Sequence, residues 1–149
     1  MSEKLIATFN CGMLEELTLS FFRAVPKLAG LRAFFFTDKR LLVVKLVDPN
    51  EAEFQNIDRK TREQLYIKLS NERALALREK DADYILQNNP ANLSIDYTEI
   101  RKIWREGMAL LPTIAVSKEG RTLKLMLIDR TVNVDESLKA LKQVVPNKF

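Results

Sequence analysis

The sequence predicts an α+β domain of antiparallel strands, with a helical insertion in mid-chain and a C-terminal helix. Three observations lead to this class. Apolar residues alternate through much of residues 5–47 and 95–128, with turn residues between the alternating stretches. Residues 51–87 contain no glycine or proline and carry dense charge of both signs, as helices do. Apolar residues recur at helical spacing between positions 134 and 145.

The first strands are predicted on either side of a turn. Leu5, Ala7 and Phe9 recur with a period of two, and the tripeptide 10–12, Asn-Cys-Gly, is typical of a turn. A second alternating stretch covers residues 16–21 and ends at a loop around Pro26. We therefore expect two short strands before the loop.

Residues 31–37 and 40–47 predict a β-hairpin, because both are rich in aromatic and β-branched residues and only Asp-Lys separates them. Phe34 and Phe36 would point to one face of the hairpin and Phe35 to the other. An antiparallel strand with one wet face should alternate polar with apolar residues, and this hairpin does not. Both faces therefore need cover, from the next segment or from another subunit.

The helical insertion covers about residues 50–89. One long helix is predicted at about 56–80, although the alternation of Leu65, Ile67 and Leu69 leaves a short strand open. Asp81 predicts the cap of a second, short helix, which Asn88-Asn89-Pro90 would end.

Three more strands and a helix complete the chain. The strands are predicted at 95–105, 111–117 and 121–128, with turns at Gly107 and Gly120. Asn133 and Glu136 form a capping-box pattern for a terminal helix at about 134–145.

The composition excludes several kinds of catalytic and metal site. There is no histidine and one cysteine, Cys11, which excludes serine–histidine triads, histidine-bound zinc and thiolate clusters. The four glycines are too scattered for a phosphate-binding loop. Asp81 and Asp83 could suggest a metal ligand pair, but a helix N-terminus explains them more simply. We expect no enzyme activity, no metal and no cofactor.

The expected location is the cytoplasm, with a peripheral position at a membrane as the alternative. No signal peptide is visible at residues 1–5, and no apolar run approaches the ~20 residues that span a bilayer. The net charge of +4 is mildly basic.

Two sequence runs carry a family resemblance: Thr-Asp-Lys-Arg-Leu-Leu-Val at 37–43 and Ile-Asp-Tyr-Thr-Glu-Ile-Arg-Lys-Ile at 95–103. With the order of strands and the final helix, they resemble the pleckstrin-homology-like (PH-like) superfamily, especially its GRAM-like and prokaryotic members. The resemblance implies one PH-like domain over residues 1–149. Its fold would be an antiparallel β-sandwich or partly open barrel, capped by the C-terminal helix. It also implies a binding scaffold. The predicted first loop, residues 10–16, has two acids and no base, so no phosphoinositide site is carried over.

Two sets of candidate binding residues follow from the charge and aromatic pattern. A basic patch for an anionic surface is predicted at Lys27, Arg32, Lys39 and Arg40, with a solvated loop as the simpler alternative. A candidate interaction surface comprises Tyr66, Leu69, Trp104 and Arg105.

Single-stranded nucleic acid is a weaker alternative. Lys102, Trp104 and Arg105 place an aromatic ring among bases, but Glu99 and Glu106 flank the group.

The sequence thus predicts a non-enzymatic, PH-like binding or adaptor domain that recognises a protein partner. It also predicts self-association into a homo-oligomer through exchange of the helical insertion. Recruitment to an anionic membrane surface is the alternative, and no small-molecule substrate is indicated.

Overall fold

The computed structural model describes residues 3–18, 23–26, 31–48, 51–107, 112–128 and 133–149. Within these ranges the chain forms eight strands and three α-helices. The strands are β1 Leu5–Thr18, β2 Arg23–Pro26, β3 Leu31–Thr37, β4 Arg40–Val47, β5 Leu93–Asp96, β6 Ile100–Glu106, β7 Thr113–Lys118 and β8 Arg121–Leu127. The helices are α1 Arg59–Arg78, α2 Ala82–Gln87 and α3 Val134–Val144. The predicted α+β class, the mid-chain helices and the C-terminal helix are confirmed.

All strands join one open antiparallel sheet in the order β5-β4-β3-β1-β8-β7-β6, with β2 paired to β1. The two edge strands, β5 and β6, are consecutive in the chain, and only the 3-10 turn Tyr97–Glu99 separates them. A connection this short has little reach, so the sheet curls until its two edges approach each other at this corner. The single strand predicted at 95–105 was therefore wrong, because its two parts pair at opposite edges.

Strand β1 crosses the centre of the sheet without the turn predicted at residues 10–12. Its first part pairs with β3 and its second part with β8, and the register shifts between Phe9 and Gly12. A glycine at position 12 allows β1 to pack closely against β8, and no turn requires it. A Cβ atom on Gly12 would lie 2.7 Å from Cγ of Leu125 and 3.0 Å from the carbonyl oxygen of Met126.

Hydrophobic clusters cover both faces of the β3–β4 hairpin, as the sequence predicted. Phe34 and Phe36 pack in one cluster, which includes residues of α3. Phe35 packs in the other, which includes Phe54 and residues of α1 and α2. The cover on the second face comes from the next segment of the same chain.

Helix α1 begins at Arg59, later than predicted, because the side chain of Asp58 accepts a hydrogen bond from the backbone N–H of Thr61. It continues through residues 65–69, so the alternative of a short strand there is wrong. Arg73 of α1 anchors the helix by donating to the carbonyl oxygen of Leu46 at 2.8 Å and to both carboxylate oxygens of Glu51. In the described ranges, no helix has the length and apolarity that crossing a bilayer requires.

Candidate functional site

A groove of about 440 Å³ lies between edge strand β6 and helix α3. Residues of the strand and of the helix line this groove, and Phe149 lines it as well. The lining residues are Lys102, Ile103, Trp104, Arg105, Asp135, Leu138, Lys139, Lys142 and Phe149. We call this feature the β6–α3 groove.

The groove has an apolar floor. The side chain of Ile103 is buried in the cluster beneath α3, and Leu138 and Phe149 are half-buried against the same cluster. Leu138 belongs to the inward face of α3, which also buries Leu141. A binding partner would therefore meet a fixed surface that the core supports.

The charge of the groove is strongly positive, with four cationic side chains against one carboxylate. Arg105 and Asp135 form an ion pair with each other. Lys102, Lys139 and Lys142 form no ion pair with any described residue. The ammonium of Lys102 lies 5.8 Å from the centre of the Trp104 ring, and that of Lys142 lies 5.3 Å from the Phe149 ring. Three lysines thus remain available to an acidic partner.

Trp104 is held in place by its neighbour Glu106. The indole Nε1 donates a hydrogen bond of 2.8 Å to Glu106, whose other carboxylate oxygen accepts from Lys124. The hydrogen bonds from Lys124 and, to a lesser degree, Trp104 lower the pKa of Glu106. The charged carboxylate therefore persists at neutral pH and fixes the indole at the groove.

Strand β6 adds a backbone feature to the groove. Among the described strands it pairs with β7 alone, so its other side is an unpaired edge. Backbone groups along such an edge can pair with an additional strand.

The structure separates the predicted interaction surface into two places. Trp104 and Arg105 line the β6–α3 groove. Tyr66 and Leu69 are half-buried in the cluster under α1, where Tyr66 makes an edge-to-face contact with Phe54 at 4.3 Å between ring centres. They cover the chain's own sheet and lie outside the groove.

Sequence reasoning missed Lys139, Lys142 and Phe149. The spacing of Asp135, Leu138, Lys139 and Lys142 places them along one side of a helix, and this was the available signal. The proximity of that side to β6 could not be inferred, because it depends on tertiary packing.

The predicted basic patch is not formed as expected. Arg32 is only 2% exposed in β3, so it cannot contribute to an exposed surface, and that expectation was wrong. Arg40 is bound by Glu3 at 2.8 Å and by Asp83 at 3.1 Å, and the hydrogen bond to Glu3 is the main reason its pKa is raised. Lys39 is exposed at the hairpin tip. Lys27 lies outside the described residues.

The two aspartates of the insertion have structural partners. Asp81 caps α2 by accepting a 2.8 Å hydrogen bond from the N–H of Tyr84, as the sequence predicted. Asp83 pairs with Arg40. In the part of the chain that the structure describes, no three acidic or thiol side chains gather in a way that could hold a metal ion.

The fold and groove define an α+β protein with a curled antiparallel sheet and a basic, apolar-floored groove at one edge. Comparison of the chain with protein-family models, curated proteins and solved structures found no match.

Proposed function

We propose that the chain is a non-enzymatic, PH-like binding module whose β6–α3 groove takes an extended acidic segment of a protein partner. The observation that carries this proposal is a strand edge with no pairing strand among those described, beside three lysines that form no ion pair with a described residue, over an apolar floor.

Four features of the fold support the PH-like part of the proposal. Successive hairpins build the sheet, β1 is shared between its two halves, and a three-residue turn joins its two edges. The terminal helix α3 packs on the cluster formed by the concave side of the sheet. This arrangement resembles a partly open barrel capped by a helix.

The groove suits an extended chain for a physical reason. A peptide that adds a strand to β6 would gain main-chain hydrogen bonds, and alternate side chains would point into the groove. The side chains that point into the groove would include acidic ones that meet Lys102, Lys139 and Lys142 and apolar ones that contact Trp104 and Phe149. Charge complementarity of this kind favours specificity and fast association.

Fluorescence of Trp104, the one tryptophan of the chain, tests the proposal directly. A short peptide that repeats Glu-Ser-Val-Ser places both glutamate and valine on one face of an extended strand. It is expected to change the emission, and added salt is expected to weaken binding. A triple variant with Lys102, Lys139 and Lys142 changed to Ser is expected to bind about tenfold more weakly, since each exposed charge contributes about 0.5 kcal/mol.

The matched control changes Lys39, Lys60 and Lys68 to Ser, because all three are exposed and lie outside the groove. Equal weakening in this control would contradict the proposed site. Peptides methylated at alternate backbone nitrogens test the strand pairing, and unchanged affinity would rule it out. Flotation with phosphatidylserine vesicles provides a further arm. Binding to vesicles but not to peptide would replace the protein partner with a membrane surface.

A further inference from the structure

One ion pair bridges the two elements that form the β6–α3 groove. Arg105, next to the last residue of β6, pairs with Asp135 in the first turn of α3, and both residues line the groove. In the part of the chain that the structure describes, no other ion pair joins β6 to α3. A ligand in the groove would therefore meet a cation that already holds a carboxylate of the protein itself.

Arg105 uses only part of its hydrogen-bonding capacity in this pair. Its Nη1 donates to Oδ1 of Asp135, and neither Nε nor Nη2 has a partner among the described residues. A guanidinium carries five N–H donors in a planar fork, and a carboxylate that accepts from two of its nitrogens at once is bound more strongly than by a single bond. The exposed Arg105 thus has donors left for a better-placed carboxylate.

Asp135 is held weakly and can leave at little cost. Its side chain is 81% exposed, and that of Arg105 is 36% exposed, so water solvates both charges when they separate. Exposed ion pairs of this kind change an equilibrium by about fivefold at most. The carboxylate of Asp135 accepts no hydrogen bond from a described residue other than Arg105.

The surroundings of the pair favour an incoming acid. Lys139 follows Asp135 by one turn, and residues four apart lie on the same side of a helix. Lys139 forms no ion pair with any described residue. A ligand carboxylate that replaced Asp135 at Arg105 would therefore gain a second cation nearby.

We propose that Arg105 anchors one acidic side chain of the bound segment, and that Asp135 occupies this anchor in the free protein. The ligand carboxylate displaces the carboxylate of Asp135, which then turns to solvent. A neutral segment has no group that can make this exchange, so Arg105 is a specificity-determining residue of the groove. The inference rests on the proposed function, because it assigns one contact of the same peptide.

The test is a calorimetric titration of the full chain with the Glu-Ser-Val-Ser peptide at low ionic strength. Calorimetry measures the dissociation constant without relying on the emission of Trp104, which is next to Arg105 in the chain. Asp135→Asn removes the competing carboxylate and is expected to bind the peptide about threefold to fivefold more tightly than wild type.

Glu136→Gln is the matched control. Glu136 is also an acid in the first turn of α3, is exposed, and does not line the groove. The variant loses the same unit of charge and the same interaction with the helix dipole, and its affinity is expected to change by less than about twofold. Equal strengthening by Asp135→Asn and Glu136→Gln would show a general effect of charge and would overturn the anchor.

A second arm repeats Asp135→Asn in an Arg105→Met background. Arg105→Met alone is expected to weaken binding, and the further change at Asp135 should then add no more than the control does. Arg105→Lys, which keeps the charge without the fork, takes its place if the methionine variant does not fold, and should show an intermediate gain. An equal or larger gain in the Arg105→Met background would mean that Asp135 acts by repulsion alone, which contradicts the exchange.

Failure of the anchor and failure of the proposed function give different results. If wild type binds the peptide and Asp135→Asn binds it no more tightly, the anchor at Arg105 is wrong and the groove remains the site. If neither chain binds the peptide, the proposed function fails and the anchor fails with it.

Discussion

At the scale of single residues, Gly12 decides how closely β1 and β8 approach. The hydrogen that replaces a side chain there leaves room for Leu125, whose Cγ and Cδ1 would lie 2.7 and 2.8 Å from an added Cβ. Real Cβ contacts are longer, so a side chain at position 12 would push Leu125 out of its packing or move the strand.

Gly12→Ala is therefore expected to lower the free energy of unfolding by roughly 1–3 kcal/mol, measured by urea denaturation. The cost should shrink in a Leu125→Ala background, because that change removes the clashing atoms. Gly120→Asn provides a contrast: Gly120 has a φ of 72° and nothing near an added Cβ, and asparagine tolerates that conformation. Full additivity of Gly12→Ala with Leu125→Ala would contradict the steric explanation.

At the scale of elements, apolar burial holds the helical insertion on the sheet, together with the Arg40–Asp83 ion pair and the hydrogen bond from Arg73 to the carbonyl oxygen of Leu46. Leu77 of α1 is 7% exposed and packs in the cluster between the insertion and the sheet. Leu75, two positions earlier, is 63% exposed. Leu77→Ala is expected to cost about 2–5 kcal/mol in unfolding free energy, since it removes buried atoms and leaves a cavity. Leu75→Ala should stay within about 0.5 kcal/mol, so comparable losses in the two variants would contradict this docking.

The Arg73–Glu51 ion pair within the insertion predicts that stability depends on pH. The hydrogen bond from Arg73 lowers the pKa of Glu51 below its ordinary 4.5. This pair therefore stabilises the fold fully above pH ~4.5, and the contribution is lost as the pH falls through the lowered folded-state pKa. With side chains 29% and 35% exposed, solvent screening keeps the contribution below about 1 kcal/mol.

Glu51→Gln is thus expected to be slightly less stable than wild type at pH 7, and the difference should close as the pH falls below about 4.5. Urea denaturation across that range measures it. Glu72→Gln, an exposed change on α1, should show no such convergence. A difference for Glu51→Gln that persists in acid would show that the carboxylate charge is not responsible.

The elements that the sequence predicted are those set by local patterns. The β3–β4 hairpin follows from its aromatic and β-branched residues, and α3 follows from helical spacing and the Asn133 cap. Phe34 and Phe35 point to opposite faces of the hairpin, which predicted that both faces would be covered by other residues. The turn at residues 10–12 and the single strand at 95–105 failed because both depend on distant partners. Gly12 is explained by Leu125, and Ile95 and Ile100 pair with strands at opposite edges of the sheet.

For the candidate site as well, the sequence indicated the residues that lie on one element and not those that tertiary packing adds. The sequence singled out Trp104 and Arg105 from the composition of one strand, and both line the groove. Lys139, Lys142 and Phe149 join them only because α3 packs beside β6, and sequence spacing alone carries no such distance. Arg32 was expected on the surface because charged side chains are usually exposed to solvent. Its position in β3 buries it instead.

At the scale of the whole molecule, the β3–β4 hairpin links the two hydrophobic clusters. Phe34 packs in one cluster and Phe35 in the other. Loss of the helical insertion would expose one face of β3 and β4, and the opposite face of the same two strands forms part of the remaining cluster. Unfolding is therefore expected to be a single transition. In urea, Trp104 fluorescence and helical circular dichroism should give the same midpoint. Earlier loss of the helical signal would show that the insertion detaches by itself.

Self-association stays a prediction. The insertion covers β3 and β4 of its own chain, so exchange of helices between copies would replace these contacts without adding burial. Light scattering at high micromolar concentration measures the outcome, and a strict monomer would contradict the expected homo-oligomer.

The pairing of β1 has a consequence for how the chain is made. Gly12 pairs with Arg32, which follows soon after it, but also with Leu127, which a ribosome adds far later. During synthesis the second part of β1 therefore waits for its β8 partner while nearly the whole chain emerges. A nascent chain in this state carries an open strand edge and exposed apolar side chains, the features that chaperones bind and that promote aggregation. Completion of the sheet is thus a late event, set by the arrival of β8.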